Sequence, residues 1–137
     1  MKYTLLICRR EGKPTVQKKI LVVDDSDDTR DMMAKLLELE AFNVVTAEDG
    51  RAGLSAAEME QPDLIITDIN MPNLNGIEMI KRIREEGGLG EVPIIVMSAY
   101  GRRMIDDALE AGADGFVEKP IDFDKFLTAI RSKLPAA

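Results

Sequence analysis

Short apolar runs alternate with amphipathic stretches along most of this chain. Ile20-Leu21-Val22-Val23, Asn43-Val44-Val45-Thr46-Ala47, Leu64-Ile65-Ile66-Thr67, Ile94-Ile95-Val96-Met97 and Gly115-Phe116-Val117 are short, mostly β-branched, and bounded by Gly, Pro, Asn or Asp. Such runs predict buried strands. Between them, apolar positions recur at helical spacing over Thr29–Glu40 (Met32, Met33, Leu36, Leu37), Gly50–Glu60, Gly76–Arg84 (Ile77, Ile80, Ile83), Arg102–Ala111 (Ile105, Ala108, Leu109) and Phe123–Leu134 (Phe126, Leu127, Ile130). Five β-α units in alternation predict an α/β fold, a doubly wound parallel sheet with helices on both faces. A length of 137 residues suits one such domain. Its expected span is 19–134, with an N-terminal extension over 1–18 and a tail over 135–137.

Five strands suit the flavodoxin-like order 2-1-3-4-5 better than the six-stranded arrangement, and the switch point then lies between strands one and three. Ligands of such sheets bind at the carboxyl ends of the strands. Those ends carry chemistry: Asp24-Asp25 follows the first strand, Asp68 the third, Ser98 the fourth and Glu118-Lys119 the fifth. Two carboxylates about 4 Å apart repel by roughly 4 kcal/mol at an effective dielectric near 20, so protons or a cation must relieve the cluster. The chain has no histidine and one cysteine, Cys8, remote in sequence. A hard divalent cation with oxygen ligands, Mg2+, fits best. Taken singly, each residue has a plainer use. Asp24-Asp25-Ser26-Asp27 suits a helix cap and dipole complement, with Asp27 and Asp28 in that role, while Asp68 and Lys119 suit a solvated loop and surface. Their joint placement at strand ends argues for a site.

From about Lys19 to Leu134 the chain resembles the receiver domain of two-component response regulators, including the small stand-alone receivers of the chemotaxis type. The resemblance rests on Asp24-Asp25, on Asp68 with Met71-Pro72-Asn73-Leu74-Asn75-Gly76 after it, on Ser98-Ala99 and on Lys119-Pro120. It implies that Asp68 accepts a phosphoryl group, that Asp25 and Asp68 bind Mg2+ directly and Asp24 largely through water, and that Asn70 offers its main-chain carbonyl to the metal. Ser98 and Lys119 would each meet a phosphoryl oxygen. Such transfer is mostly positioning and charge neutralisation, and a carboxylate can serve as the nucleophile. The implied donor is a histidine kinase or a histidine phosphotransfer protein, since this chain has no histidine of its own. Ser98 and Phe116 would form the switch, and Asn70 and Tyr100 would tune the lifetime of the phosphoryl group. Phe116 lacks the hydroxyl of the tyrosine often found there. The output face would run over roughly 102–111 and 115–131, and the Lys119-Pro120 bond would be cis.

Charge separates the ends of the chain. Residues 1–19 hold six Lys or Arg and one Glu, a net of +5, which leaves −12 on the rest of a chain whose net is −7. An acidic body without clustered Lys and Arg argues against direct nucleic-acid binding. Tyr3-Thr4-Leu5-Leu6-Ile7-Cys8 is too short to span a membrane or to form a signal-peptide core. With the turn-like Arg9-Arg10-Glu11-Gly12-Lys13-Pro14 it suits an extra strand or a mobile leader. A lone cysteine and no targeting signal place the protein in the cytoplasm, and no GxxxxGK[ST] loop suggests direct ATP use. Asn73 or Asn75 would cap the third helix, Gly112 would end the fourth and Asp122 would cap the fifth. Met32, Met33 and Met79 are expected in the core, with Met71 beside the acceptor as the exception. Only three residues follow Leu134, so the chain is expected to act through another protein, to shuttle or store phosphoryl groups, or to be part of a longer protein. Two rivals remain open. One is a Mg2+-dependent phosphatase, for which Asn70 stands where an acid-base aspartate would be wanted. The other is a binding module that works without phosphorylation.

Overall fold

The structure, a computed structural model, describes residues 17–71, 74–85, 89–99 and 102–134. The expectations for residues 1–16, Asn73, Tyr100 and the tail lie outside the described residues. The elements are β1 (Lys19–Val23), α1 (Asp27–Leu39), β2 (Asn43–Ala47), α2 (Gly50–Glu60), β3 (Leu64–Asp68), α3 (Gly76–Glu85), β4 (Ile94–Ser98), α4 (Arg102–Ala111), β5 (Gly115–Glu118) and α5 (Phe123–Lys133). All five strands pair in parallel in one sheet of order β2-β1-β3-β4-β5. The expected order is therefore observed.

Period-two alternation sorts each central strand between two apolar layers. Leu21 and Val23, Ile65, and Ile94 and Val96 pack with Ala57, Met79, Ile80, Ile83 and Ala108 on the face of α2, α3 and α4. Ile20 and Val22, Leu64 and Ile66, and Ile95 and Met97 pack with Met33, Leu37, Phe126, Leu127 and Ile130 on the face of α1 and α5. Strands buried on both faces read as continuous apolar runs, which is why β1, β3 and β4 stand out in the sequence.

The helix ends follow local chemistry. Helix α1 starts two residues earlier than its apolar spacing suggests because Ser26, not Asp27 or Asp28, is the cap, its side chain accepting from the Thr29 N–H. Asp27 and Asp28 fall in the first turn, where negative charge complements the helix dipole. Asn75 Oδ1 accepts from the Glu78 N–H at 2.9 Å, and Asp122 accepts from the N–H groups of Asp124 and Lys125. Gly112 follows α4 at φ 122°.

Two expectations about side chains are corrected. Met32 is 49% exposed rather than in the core, because α1 docks through Met33 and Leu37, one turn apart, and Met32 lies about 100° round the helix from Met33. Leu109 is likewise turned outward, since α4 buries Ile105 and Ala108. Away from the carboxyl edge, Arg84 ties α3 to its surroundings. Its guanidinium donates to the carbonyls of Gly90, Val92 and Gly112 and to Asp114 Oδ2, which also accepts from the Ile94 N–H.

Close approach, rather than flexibility, fixes Gly50 at the start of α2: a Cβ there would lie 1.9 Å from the Leu74 carbonyl oxygen. At Gly115 the nearest atom would be Lys133 Cε at 3.4 Å. Gly50→Ala is expected to lose about 1–3 kcal/mol in urea unfolding, in the range of overpacked sites. Gly115→Ala should stay within about 0.5 kcal/mol of the parent. Equal effects of the two substitutions would contradict this packing account.

Candidate functional site

Register alone brings the carboxylates together. Val23 of β1 lies opposite Thr67 of β3, so Asp24, just past β1, and Asp68, the last residue of β3, come side by side at the carboxyl edge. Asp24, Asp25 and Asp68 each present a carboxylate oxygen within 4.8 Å of the others. Among the described residues they form the one group of three or more potential metal-ligating side chains close enough to share a cation.

Each strand end is anchored. The Asp24 N–H donates to the Ala47 carbonyl at 3.1 Å, and Asp24 Oδ1 accepts from the Ser26 N–H at 2.8 Å. Asp68 Oδ1 accepts from the Ile69 N–H at 2.7 Å, and Oδ2 accepts from Lys119 Nζ at 3.0 Å. The buried Thr67 hydroxyl donates to the Asp68 carbonyl at 2.8 Å. Behind it, Gly76 presses α3 against the strand, since a Cβ there would lie 2.3 Å from that same carbonyl oxygen.

Lys119 reaches the cluster from β5, and its N–H donates to the Ser98 carbonyl at 2.9 Å, which joins the ends of β4 and β5. The Lys119-Pro120 bond is cis, as expected. Ser98 is buried at the end of β4. Asn70 is exposed on the segment after β3, and Met71 is half-buried against the core. Phe116, opposite Val96, is half-buried rather than enclosed, and with Val117, Lys119, Pro120, Lys125 and Ala129 it lines a groove beside α5.

Electrostatics make the cluster costly. Burial, aided by the charges of Asp68 and Asp25, raises the Asp24 carboxyl above its ordinary range, although the Ser26 N–H and Lys119 oppose the shift. Burial would lower Lys119, but the hydrogen bond and charge of Asp68, with Asp24, outweigh it and raise the ammonium. Lys119 Nζ stands 3.6 Å from Asp24 Oδ2, an ion-pair contact too long for a hydrogen bond. Asp24 Oδ2 is thus a fully buried oxygen with no hydrogen-bond donor among the described residues. An orphaned buried oxygen among three carboxylates, in a chain without histidine, fits a hard cation.

Two contributors were not singled out in the sequence: Thr67, and Arg30, whose Nη1 donates to the Asp24 carbonyl at 2.7 Å. A lone base just inside a helix that opens on acids was the available signal for Arg30.

The model of the response regulator receiver domain matches residues 20–131. The chain belongs to this family. This receiver is 39% identical over 107 residues to an uncharacterized 14.6 kDa protein in the sodA1 3' region of Leptolyngbya boryana, a match covering 77% of this chain and 82% of that protein. It is 39% identical over 106 residues to the alkaline phosphatase synthesis transcriptional regulatory protein PhoP of Bacillus subtilis, covering 77% of this chain and 43% of that one. The chain spans about half the length of most of the curated relatives it matches, such as 49% of the transcriptional regulatory protein PrrA of Mycobacterium tuberculosis. Among solved structures, the chemotaxis response regulator CheY4 of Vibrio cholerae is similar at 31% identity and a TM-score of 0.82, with 87% of this chain and 100% of that chain covered. Receiver domains serve phosphorylation-based two-component signalling, accept phosphoryl groups from histidine kinases and bind Mg2+ in an acidic site. No helix among the described residues is long and apolar enough to cross a membrane.

The raised Asp24 carboxyl has a definite sign. A carboxyl whose folded pKa lies above its unfolded value opposes folding when ionised, and the cost fades as pH falls through the folded value. Lys119 acts oppositely, supporting the fold until pH rises through its raised alkaline value. In EDTA at pH 7, Asp24→Asn, which keeps an oxygen for the Ser26 N–H, is expected to melt above the parent, with the gain shrinking as the buffer is acidified. A lower midpoint, or a gain indifferent to pH, would contradict the assignment.

Proposed function

We propose that this receiver, over residues 19–134, takes a phosphoryl group onto Asp68 from the phosphohistidine of a histidine kinase or histidine phosphotransfer protein, and passes the signal on by changing a protein-binding face. The observation that carries the reading is the Asp68 carboxylate held by Lys119 at 3.0 Å inside a cluster with Asp24 and Asp25. Asp25, Asp68 and the Asn70 main-chain carbonyl would hold Mg2+ directly and Asp24 through water. Bound there, the cation supplies neutralising charge to the phosphoryl oxygens.

In the transfer, an Asp68 oxygen forms the new P–O bond while the P–N bond to the donor imidazole breaks, its electron pair returning to that nitrogen. Lys119 already touches the carboxylate and can follow the charge as it moves out onto the phosphoryl oxygens, where the Ser98 hydroxyl donates as well. Ser98 moving toward the phosphoryl group would open space for Phe116 to turn inward from its half-buried position on β5, which remodels the α4, β5 and α5 face. Asn70 and Tyr100 would tune hydrolysis of the acyl phosphate. The protein is then a switch rather than a turnover enzyme, and we place it in the cytoplasm, with a protein rather than nucleic acid as its target.

Incubation with acetyl phosphate and Mg2+ is expected to add one phosphoryl group to the intact mass, with no gain in EDTA and none in Asp68→Asn. Equal modification of Asp68→Asn would refute the assignment.

A further inference from the structure

We infer that Arg30 is a positioning residue for the metal-binding carboxylates, acting through the peptide between Asp24 and Asp25. The inference rests on the magnesium reading above. Arg30 is only 15% exposed, and its guanidinium is shared between the Asp24 carbonyl, at 2.7 Å from Nη1, and Asp27 Oδ1, bonded to Nη2. Asp24 needs little further help. Its N–H is bonded to the Ala47 carbonyl and its Oδ1 to the Ser26 N–H.

Asp25 differs. Its side chain is exposed and takes no hydrogen bond among the described residues, yet it is a proposed direct ligand. The position of its Cα–Cβ bond, from which the carboxylate must reach the metal, is set by its own backbone, and the plane of the peptide that leads into it is fixed by the Asp24 carbonyl. A charge-assisted bond on that carbonyl, from a guanidinium anchored at its other arm by Asp27, holds this plane. Arg30 thus does for the site what an outer-shell partner does for a metal ligand.

Charge and geometry predict opposite outcomes here. Removing a cation from beside a cation site should tighten Mg2+ by Coulomb's law. Loss of positioning should weaken it, typically by about 10- to 100-fold. The experiment follows amide chemical shifts of the full chain during MgCl2 titration, without any phosphoryl donor, for wild type, Arg30→Met and Arg30→Lys. Phosphorylation by acetyl phosphate is then measured against Mg2+ concentration.

The half-saturating Mg2+ of Arg30→Met is expected to rise about tenfold or more, while the rate at saturating Mg2+ stays within about twofold of wild type. Arg30→Lys, with one donor head, should fall between the two, and it carries the test by itself if the methionine variant does not fold. Unchanged or tighter Mg2+ binding in folded variants, or a lowered melting point with no shift in half-saturation, would overturn the inference. A wild-type protein that binds no Mg2+ would overturn the phospho-accepting reading and this one with it.

Discussion

The structure is organised around a repulsion. Three carboxylates present oxygens within 4.8 Å of one another at the edge of a sheet, with the ammonium of Lys119 in ion-pair contact with two of them. Two ionised carboxylates at such separations repel by roughly 3 to 4 kcal/mol at an effective dielectric near 20 before solvent screening, and at Asp24 burial adds the larger cost. Parallel pairing of β1 with β3 imposes the closest approach, because it sets the residue after Val23 beside the residue after Thr67 at the carboxyl edge. The rest of the fold makes it tolerable. Two apolar layers cover both faces of the sheet, and hydrogen bonds from Ser26, Ile69 and Thr67 hold Asp24 and the end of β3 where they would otherwise spread apart. Repulsion of this kind favours binding: a cation, alone or with a phosphoryl group, offsets the cost of gathering the carboxylates.

The position of the cluster also explains how a local event could reach a distant face. Lys119 joins the cluster to β5, and its main chain is bonded to Ser98 at the end of β4. Phe116, half-buried three residues earlier, opens onto the groove beside α5. At the opposite edge of the sheet Arg84 fastens α3 to the turn before β4 and to the end of α4. The end of the sheet that carries the chemistry is thus linked through Lys119 to β5 and the groove beside α5, while Arg84 clamps the other end.

Much of this was legible in the sequence, for a physical reason. Strands buried on both faces carry unbroken β-branched runs, so Ile20 to Val23, Leu64 to Thr67 and Ile94 to Met97 announce β1, β3 and β4, and the polar residue at each end marks the carboxyl edge. Topology then gave the convergence of Asp24, Asp25, Asp68 and Lys119. Which apolar residues face outward was less readable: Met32 sits next to Met33 in sequence but about 100° away on the helix, and spacing alone does not say which of two neighbouring stripes docks. The cap at Ser26 was masked by the acids around it. Arg30 and Thr67 escaped notice because both act on main-chain carbonyls, a use that side-chain pattern does not encode.

The central claim is that one carboxylate of the three, Asp68, becomes the acyl phosphate. Reduction of the phosphorylated protein with borohydride, followed by peptide mapping, converts that acyl group to an alcohol and so marks its position. The account predicts homoserine at residue 68 and unmodified Asp24, Asp25 and Ser98. Homoserine at 24 or 25, or phosphate retained on Ser98, would contradict it.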